Sequence, residues 1–265
     1  MTTLGLKSEL LASIPGVSHR FFGRLGGTSP APWRGLNTSF LVGDVPARVE
    51  ENLARVRFQV GVGRAALYTA MQVHGDAVYE VHASDDVEQV SAIEADALIT
   101  SAPDIALGVR TADCAPVLLA SEDGEWVAAV HAGWRGAVGG IIGATVAALV
   151  ARGVSPAALV ACIGPCIGQS AFEVGPEVAS AVMACAPDGE VVFHGRDDRS
   201  HLDLARFVES QLRRAGVHRI EFCASCTYSD LETWYSHRAE GGKTGRQLSV
   251  IARTQPPVLS ASTFA

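Results

Sequence analysis

The sequence contains no apolar run approaching the roughly 20 residues needed to cross a bilayer. Yet 48% of its 265 residues are hydrophobic and only 18% are charged, a balance that belongs to a core-rich globular chain. Its opening, MTTLGLKSELLASIPG, has one lysine and Glu9 ahead of a short apolar patch. It lacks the basic start and long apolar centre of a secretory signal, so the cytoplasm is the expected compartment. Cysteine is sparse for the length, with six residues at 114, 162, 166, 185, 223 and 226. That number excludes the disulfide framework of a small secreted domain and leaves thiols or metal ligands. A basic stripe is missing too. The 21 Lys+Arg are scattered and are outnumbered by 28 Asp+Glu, for a net charge of −7. A nucleic-acid partner is therefore not expected, and neither is a membrane.

Length alone allows one large domain or two small ones. No linker or low-complexity stretch appears away from the ends, and Gly and Pro are spread as turn punctuation, so the chain reads as one domain over 1–265. Residues 1–15 and 254–265 are expected at its periphery, the latter as an extended terminus, TQPPVLSASTFA. Helical spacing predicts helices from 44 to about 62, with Asp44 as cap and Pro46 in the first turn, and over 137–151, closed by Gly153. Two more are expected over 204–215, introduced by Asp203, and over 176–185. Between them lie short apolar runs typical of buried strands: LYTAMQV, AVYEV, ADALIT, IALGV, PVLLA, WVAAV, ALVACIG, RIEFC and QLSVI. Several follow one another with no helix between, which argues for an α/β (α+β) fold with a mixed sheet flanked by helices.

Chemistry-bearing residues cluster at the edges of these runs. In WVAAVHAGWRGAVGG a buried strand runs into His131, then a glycine-rich turn with Trp134 and Arg135, then a helix start. Such a junction either binds an anion at free backbone N–H groups or is a tight turn with a solvated arginine. In TAMQVHGDAVYEV, His74 ends one strand, Gly75 and Asp76 form a hairpin-like turn, and Gln72 shares a strand face with His74. In TADCAPVLLA, Cys114 opens a strand, and Asp113 beside it is either a turn residue or an acid of the site. Two imidazoles and a thiolate suit zinc with a fourth position open. The same set also suits a nucleophilic cysteine with a histidine base. The separations of 40 and 17 residues match no short zinc motif and do not choose between the two.

CIGPC at 162–166 and CASC at 223–226 each resemble half of a zinc site, but read equally well as turns. The loop YSHRAEGGKTGRQLSVI carries Arg238, Lys243 and Arg246 among three glycines and either clasps an anion or is a solvated hairpin. FFGRLGGTS places Arg24 in a glycine-rich loop, and GLNTSF adds Asn37; both shape a polar pocket or a turn.

In order along the chain, FFGRLGGTS, GLNTSFLVGD, QVHG, ADALIT, TADCAPVLLA, AVHAGWRG, IGPCIG with FEVG, the LDL of 202–204, CTY and YSHRAEGGKTGR resemble the bacterial YfiH family. That family is related to the human laccase-domain-containing protein and was once labelled polyphenol oxidase. Gly23, where the family often has threonine, and an extra glycine in the last loop depart from its pattern. The resemblance implies a single domain of layered mixed sheets, similar to the cytotoxic necrotizing factor deamidase. It implies zinc on His74, Cys114 and His131 and a catalytic set that adds Asp113, with Arg24, Asn37, Gln72, Arg135 and Arg238 as candidate substrate or phosphate contacts.

The activities it implies are phosphorolysis of adenosine, inosine and methylthioadenosine and hydrolytic deamination of adenosine, with purine nucleosides and phosphate as partners. The alternative is a cysteine- or zinc-dependent amidase that edits UDP-MurNAc-serine peptidoglycan precursors. A copper polyphenol oxidase is disfavoured. A multicopper enzyme needs about ten histidines, many in His-x-His pairs, and this chain has eight and no such pair.

Overall fold

The computed structural model describes residues 5–61, 67–186 and 191–254. The first part of the chain forms β1 (Gly5–Leu6), α1 (Glu9–Ala12), β2 (Val17–Phe22), α2 (Pro46–Gln59), β3 (Leu67–Tyr68) and β4 (Val78–Glu80). The middle adds α3 (Val87–Ser91), β5 (Ala97–Thr100), β6 (Ile105–Thr111), β7 (Ala115–Ser121), β8 (Val127–Ala132), α4 (Trp134–Gly139), α5 (Ile141–Val150) and β9 (Leu159–Ile163). The last part supplies β10 (Glu173–Val174), α6 (Pro176–Cys185), β11 (Val192–His194), β12 (Ser200–Leu202), α7 (Leu204–Arg214), β13 (Arg219–Phe222) and β14 (Gln247–Arg253).

These strands make a five-stranded sheet ordered β1-β2-β14-β6-β3, a six-stranded sheet ordered β13-β9-β7-β8-β5-β4, and a small sheet β10-β12-β11. The two large sheets are mixed: β3–β6, β4–β5 and β9–β13 pair parallel, and the remaining pairs run antiparallel. Strand alternation sorts their side chains into layers. Leu118 and Ala120 of β7 and Ala129 of β8 meet Phe21, Leu107 and Ile251 between the two large sheets. The alternate residues Val117, Leu119, Ala128 and Val130 pack against the helix layer of α4 to α7, including Ile141, Val182 and Phe207. On the outer face of the five-stranded sheet, Ala106, Leu248 and Val250 meet Val49, Leu53 and Val56 of α2. The six-stranded sheet is thus covered on both faces, which is why PVLLA and WVAAV read as continuous apolar runs.

Four details depart from the sequence reading. The helix expected from 44 starts at Pro46, and Val45 rather than Asp44 occupies the cap position. Asp44 instead accepts from Val45 N and Asn37 Nδ2. The expected end of that helix at 62 lies outside the described residues, as do 1–4 and 255–265. The helix expected over 137–151 is two helices, because Gly140 sits between them at φ 100, a left-handed conformation. LYTAMQV is a strand only at Leu67–Tyr68, with an isolated parallel bridge from Met71 to Glu94, and the strands flanking His74 lie in different large sheets, so the segment is a crossover and not a hairpin. Residues 5–15 are not peripheral: β1 pairs with β2, and Leu11 and Ile14 join the inter-sheet core. The helices at 176–185 and from 204 stand as expected, the latter capped by Asp203 accepting from Arg206 N at 3.0 Å. No helix among the described residues is long and apolar enough to cross a membrane.

Candidate metal and substrate site

Three chain segments converge at one end of the six-stranded sheet. Cys114 immediately precedes β7, and His131 lies in β8 opposite Pro116, so pairing of β7 with β8 carries the thiol and the imidazole to the same sheet end. His74 arrives on the crossover between β3 and β4, at φ 62. One donor atom from each of the three residues lies within 4.8 Å of those from the other two. Cys114 Sγ is 3.8 Å from His74 Nε2, and the two imidazoles meet edge to face with centroids 4.7 Å apart. Gly133 leaves no room beside them: a Cβ there would stand 2.9 Å from His74 Cδ2 and 3.0 Å from Cys114 Sγ.

Asp96, at the start of β5, organises this convergence and was not singled out from the sequence. It is 1% exposed. Its Oδ1 lies 2.7 Å from His131 Nδ1 and accepts from His74 N, while its Oδ2 accepts from Val73 N and Gly75 N. The carboxylate holds the His74 loop and fixes which nitrogen of His131 faces Cys114. Burial would raise the Asp96 carboxyl, but its bonds to His131 and to the Gly75 and Val73 amides hold it below its ordinary value. Burial likewise opposes ionisation of Cys114, yet the His131 charge and the hydrogen bonds to both imidazoles outweigh it and hold the thiol at about 6. His131 is raised to about 9 against its own burial by the Cys114 charge and the Asp96 bond. Each group thus favours the charged form of the other, thiolate and imidazolium, and a thiolate is the form that a cation would bind.

The site opens into a cavity of about 990 Å³ lined by residues that include Trp134, Arg135, Arg238, Gln72 and Phe172. Arg135 stacks over the Trp134 ring and Arg238 over Phe172. Gln72 lines the cavity but spends its amide on the Arg110 backbone, donating to the carbonyl and accepting from the N–H, each at 2.8 Å.

The remaining candidates do something else. Asp113, at φ 88, accepts from Thr227 Oγ1, Ser236 Oγ and Arg238 N, each at 2.7 Å. Its carboxylate holds the 227–238 loops, and the residue lines the cavity. Arg24 is buried away from the cavity, donates to Leu231 O, pairs with Glu240 at 3.1 Å and lies over the Tyr235 ring. Asn37 is fully buried and saturated by Ser39, Asp44 and Arg246. Neither is among the residues that line the cavity. Cys162 and Cys223 approach to 3.6 Å between the sheets. Among the described residues the only metal-ligating group is His74, Cys114 and His131, so the two CxxC-like pairs do not combine into a four-cysteine site.

The model of the family described as multi-copper polyphenol oxidoreductase laccase matches residues 18–254. A protein of Deinococcus radiodurans named purine nucleoside phosphorylase is 39% identical over 235 residues, covering 89% of this chain and 88% of its own length. The Escherichia coli K12 protein named purine nucleoside phosphorylase YfiH is 36% identical over 228 residues, covering 86% of this chain and 90% of its own. Among solved structures, YlmD from Geobacillus stearothermophilus superposes with a TM-score of 0.88 at 27% identity, covering 95% of this chain and 99% of that one. The Bacillus licheniformis hypothetical protein YfiH gives 0.84 at 28% identity, covering 89% and 92%.

Proposed function

The chain belongs to the family described as multi-copper polyphenol oxidoreductase laccase, and from that premise we propose that it is a zinc-dependent purine nucleoside phosphorylase. Its substrates are adenosine, inosine and methylthioadenosine, and it also deaminates adenosine hydrolytically. The relatives' shared name supports a transferase-type enzyme. The observation that carries the reading is the Asp96 carboxylate: it ties His131 Nδ1 and the His74 loop together, so that a thiolate and two imidazoles face a 990 Å³ cavity. Two nitrogens and one thiolate are a zinc donor set. Bound there, zinc would act as a Lewis acid and acidify coordinated water. The family description speaks of several coppers, whereas the described residues contain a single such group.

In phosphorolysis a phosphate oxygen bonds to the ribose anomeric carbon as the bond from that carbon to the purine nitrogen breaks. The base leaves with the electron pair and takes up a proton, and ribose 1-phosphate remains. The cavity's arginines hold the oxyanion, and Trp134 and Phe172 supply apolar faces for the base. We place this chemistry in one domain over 1–265, in the cytoplasm. The test is metal content together with product analysis on adenosine with and without phosphate. The expected result is about one zinc per chain, phosphate-dependent adenine and ribose 1-phosphate, and inosine with ammonia. A zinc-loaded protein that yields neither base nor ammonia overturns the reading.

A second reading draws on one observation, the ordered contact of Cys114, His131 and Asp96, which also fits a cysteine nucleophile with an oriented base. It makes the chain an amidase acting on UDP-MurNAc-serine precursors. A covalent adduct at Cys114 with a substrate analogue would establish it, and full amidase activity in Cys114→Ala would exclude it.

A further inference from the structure

Two cavity-lining arginines, Arg110 and Arg246, have no role in the site as described so far. They belong to one face of the five-stranded sheet. On β6 and β14 the residues Ala106, Leu248, Val250 and Ala252 point toward α2. Counting in twos along β6 from Ala106 reaches Arg110, and counting back from Leu248 reaches Arg246. Arg110 pairs directly with Leu248, so Arg246 stands diagonally across the ladder from it. Where the apolar row ends at the cavity, it ends in two guanidinium groups.

Thr38, which is fully buried, fixes both. Its carbonyl accepts from Arg110 Nε at 2.7 Å, and its own N–H and hydroxyl donate to the Arg246 carbonyl at 3.1 and 2.9 Å. Asn37 Oδ1 accepts from Arg246 N, and Arg246 Nη1 donates to the Thr244 and Gly245 carbonyls. Neither arginine forms an ion pair among the described residues, in contrast to Arg57, which lines the same cavity and pairs with Glu50. The charges of Cys114 and Asp113 act on Arg246, and Asp113 accepts hydrogen bonds from three other donors. Burial draws Arg110 down to about 10, which leaves it charged at neutral pH. Two anchored, part-buried cations that line one cavity and have no ion-pair partner among the described residues are suited to receive an oxyanion.

We propose that Arg110 and Arg246 form the subsite that takes the phosphate-class oxyanion, inorganic phosphate in the phosphorolytic reaction. The role assigned to phosphate in that reaction rests on the function proposed above; the binding of an oxyanion does not. Arg135 and Arg238 lie over the Trp134 and Phe172 rings and are exposed, whereas Arg110 and Arg246 are part-buried.

The test uses the zinc-loaded full chain and its Arg246→Gln and Arg110→Gln variants. Equilibrium dialysis of radiolabelled inorganic phosphate is run alongside steady-state kinetics with adenosine, and adenosine 5′-monophosphate is measured as a competitor. Losing one charged hydrogen-bonding partner of the oxyanion costs about 10- to 100-fold in phosphate Kd and in KM for phosphate. The KM for adenosine and the zinc content should stay within about threefold, the scatter expected of neighbouring independent contacts. If Arg110→Gln fails to fold for want of its Thr38 anchor, Arg246→Gln decides alone, since its side chain is anchored only to neighbouring carbonyls.

Inorganic phosphate Kd and KM, together with competition by adenosine 5′-monophosphate, all within twofold of the parent in Arg246→Gln overturn the subsite. If the parent releases no base from any nucleoside but binds phosphate in an arginine-dependent way, the phosphorylase reading fails and the subsite stands. If the variants lose adenosine 5′-monophosphate and keep inorganic phosphate, the subsite stands with the oxyanion supplied by the substrate.

Discussion

His131 Nδ1 and Asp96 Oδ1 lie 2.7 Å apart, and the same carboxylate receives the N–H groups of Val73, His74 and Gly75. One buried acid thereby sets the tautomer of one candidate ligand and the backbone position of another. Asp96→Asn puts an amide NH2 among groups that all donate. Zinc affinity measured by chelator competition should fall about 10- to 100-fold, with a lower melting temperature as well. Unchanged affinity would mean that the His131 contact does not serve the metal.

Gly133 separates the metal question from the folding question. Its φ of −72 suits any residue, so Gly133→Ala strains only the space between His74 Cδ2 and Cys114 Sγ. His74 is exposed and gives way first. The expected outcome is a zinc Kd at least about tenfold weaker with little change in the melting temperature of the zinc-free protein. A large drop in zinc-free stability with zinc affinity intact would contradict this geometry.

Stability should depend on pH through His19, far from the site. Burial, then the Lys7 charge, lowers its pKa from 6.5 to about 4, and Ser8 N donates to its neutral Nε2 at 2.8 Å. Between those two values the unfolded chain binds the extra proton. Stability is therefore complete above about pH 6.5 and is lost as the pH falls toward 4, by about 3 kcal/mol in all. His19→Gln keeps an acceptor for Ser8 N but cannot protonate. Urea midpoints at pH 7 and 4.5 should differ less in the variant than in the parent by that amount, and equal differences would refute the assignment.

Arg24 is predicted to matter for folding. Arg24→Met leaves Glu240 without its partner and removes the bond to Leu231 O, a loss on the order of 3 kcal/mol. Denaturant unfolding measures it. If instead the stability holds and only substrate affinity falls, Arg24 reaches the site after all.

The order and type of most elements could be read from composition and period. PVLLA, WVAAV and ALVACIG are strands because a sheet covered on both faces tolerates only apolar residues. The helices from 176 and 204 declared themselves by proline and aspartate at their starts. β2, VSHRFF, was missed because His19 and Arg20 interrupt its apolar pattern, although the fold buries His19 between Ser8 and the core. The site was legible only as residue types: a histidine, a cysteine and a histidine, each at a strand edge. Asp96 stood within ADALIT with nothing local to distinguish it from any acid before a strand. Arg110 stood just after the apolar run IALGV with nothing to mark it, and Arg246 in a loop that read equally well as solvated.

The sequence by itself determined which segments must be buried, since alternation and apolar runs are properties of neighbours along the chain. Which polar groups share a cavity was decided by the tertiary structure alone. Pairing of β7 with β8, and the crossover that carries His74 between sheets, bring residues 40 and 17 positions apart to one point. Pairing of β6 with β14 does the same for Arg110 and Arg246, 136 positions apart in the chain. Asp113, Arg24 and Asn37 took structural roles because each found several partners from distant segments that saturate it, and those partners become neighbours only when the sheets assemble.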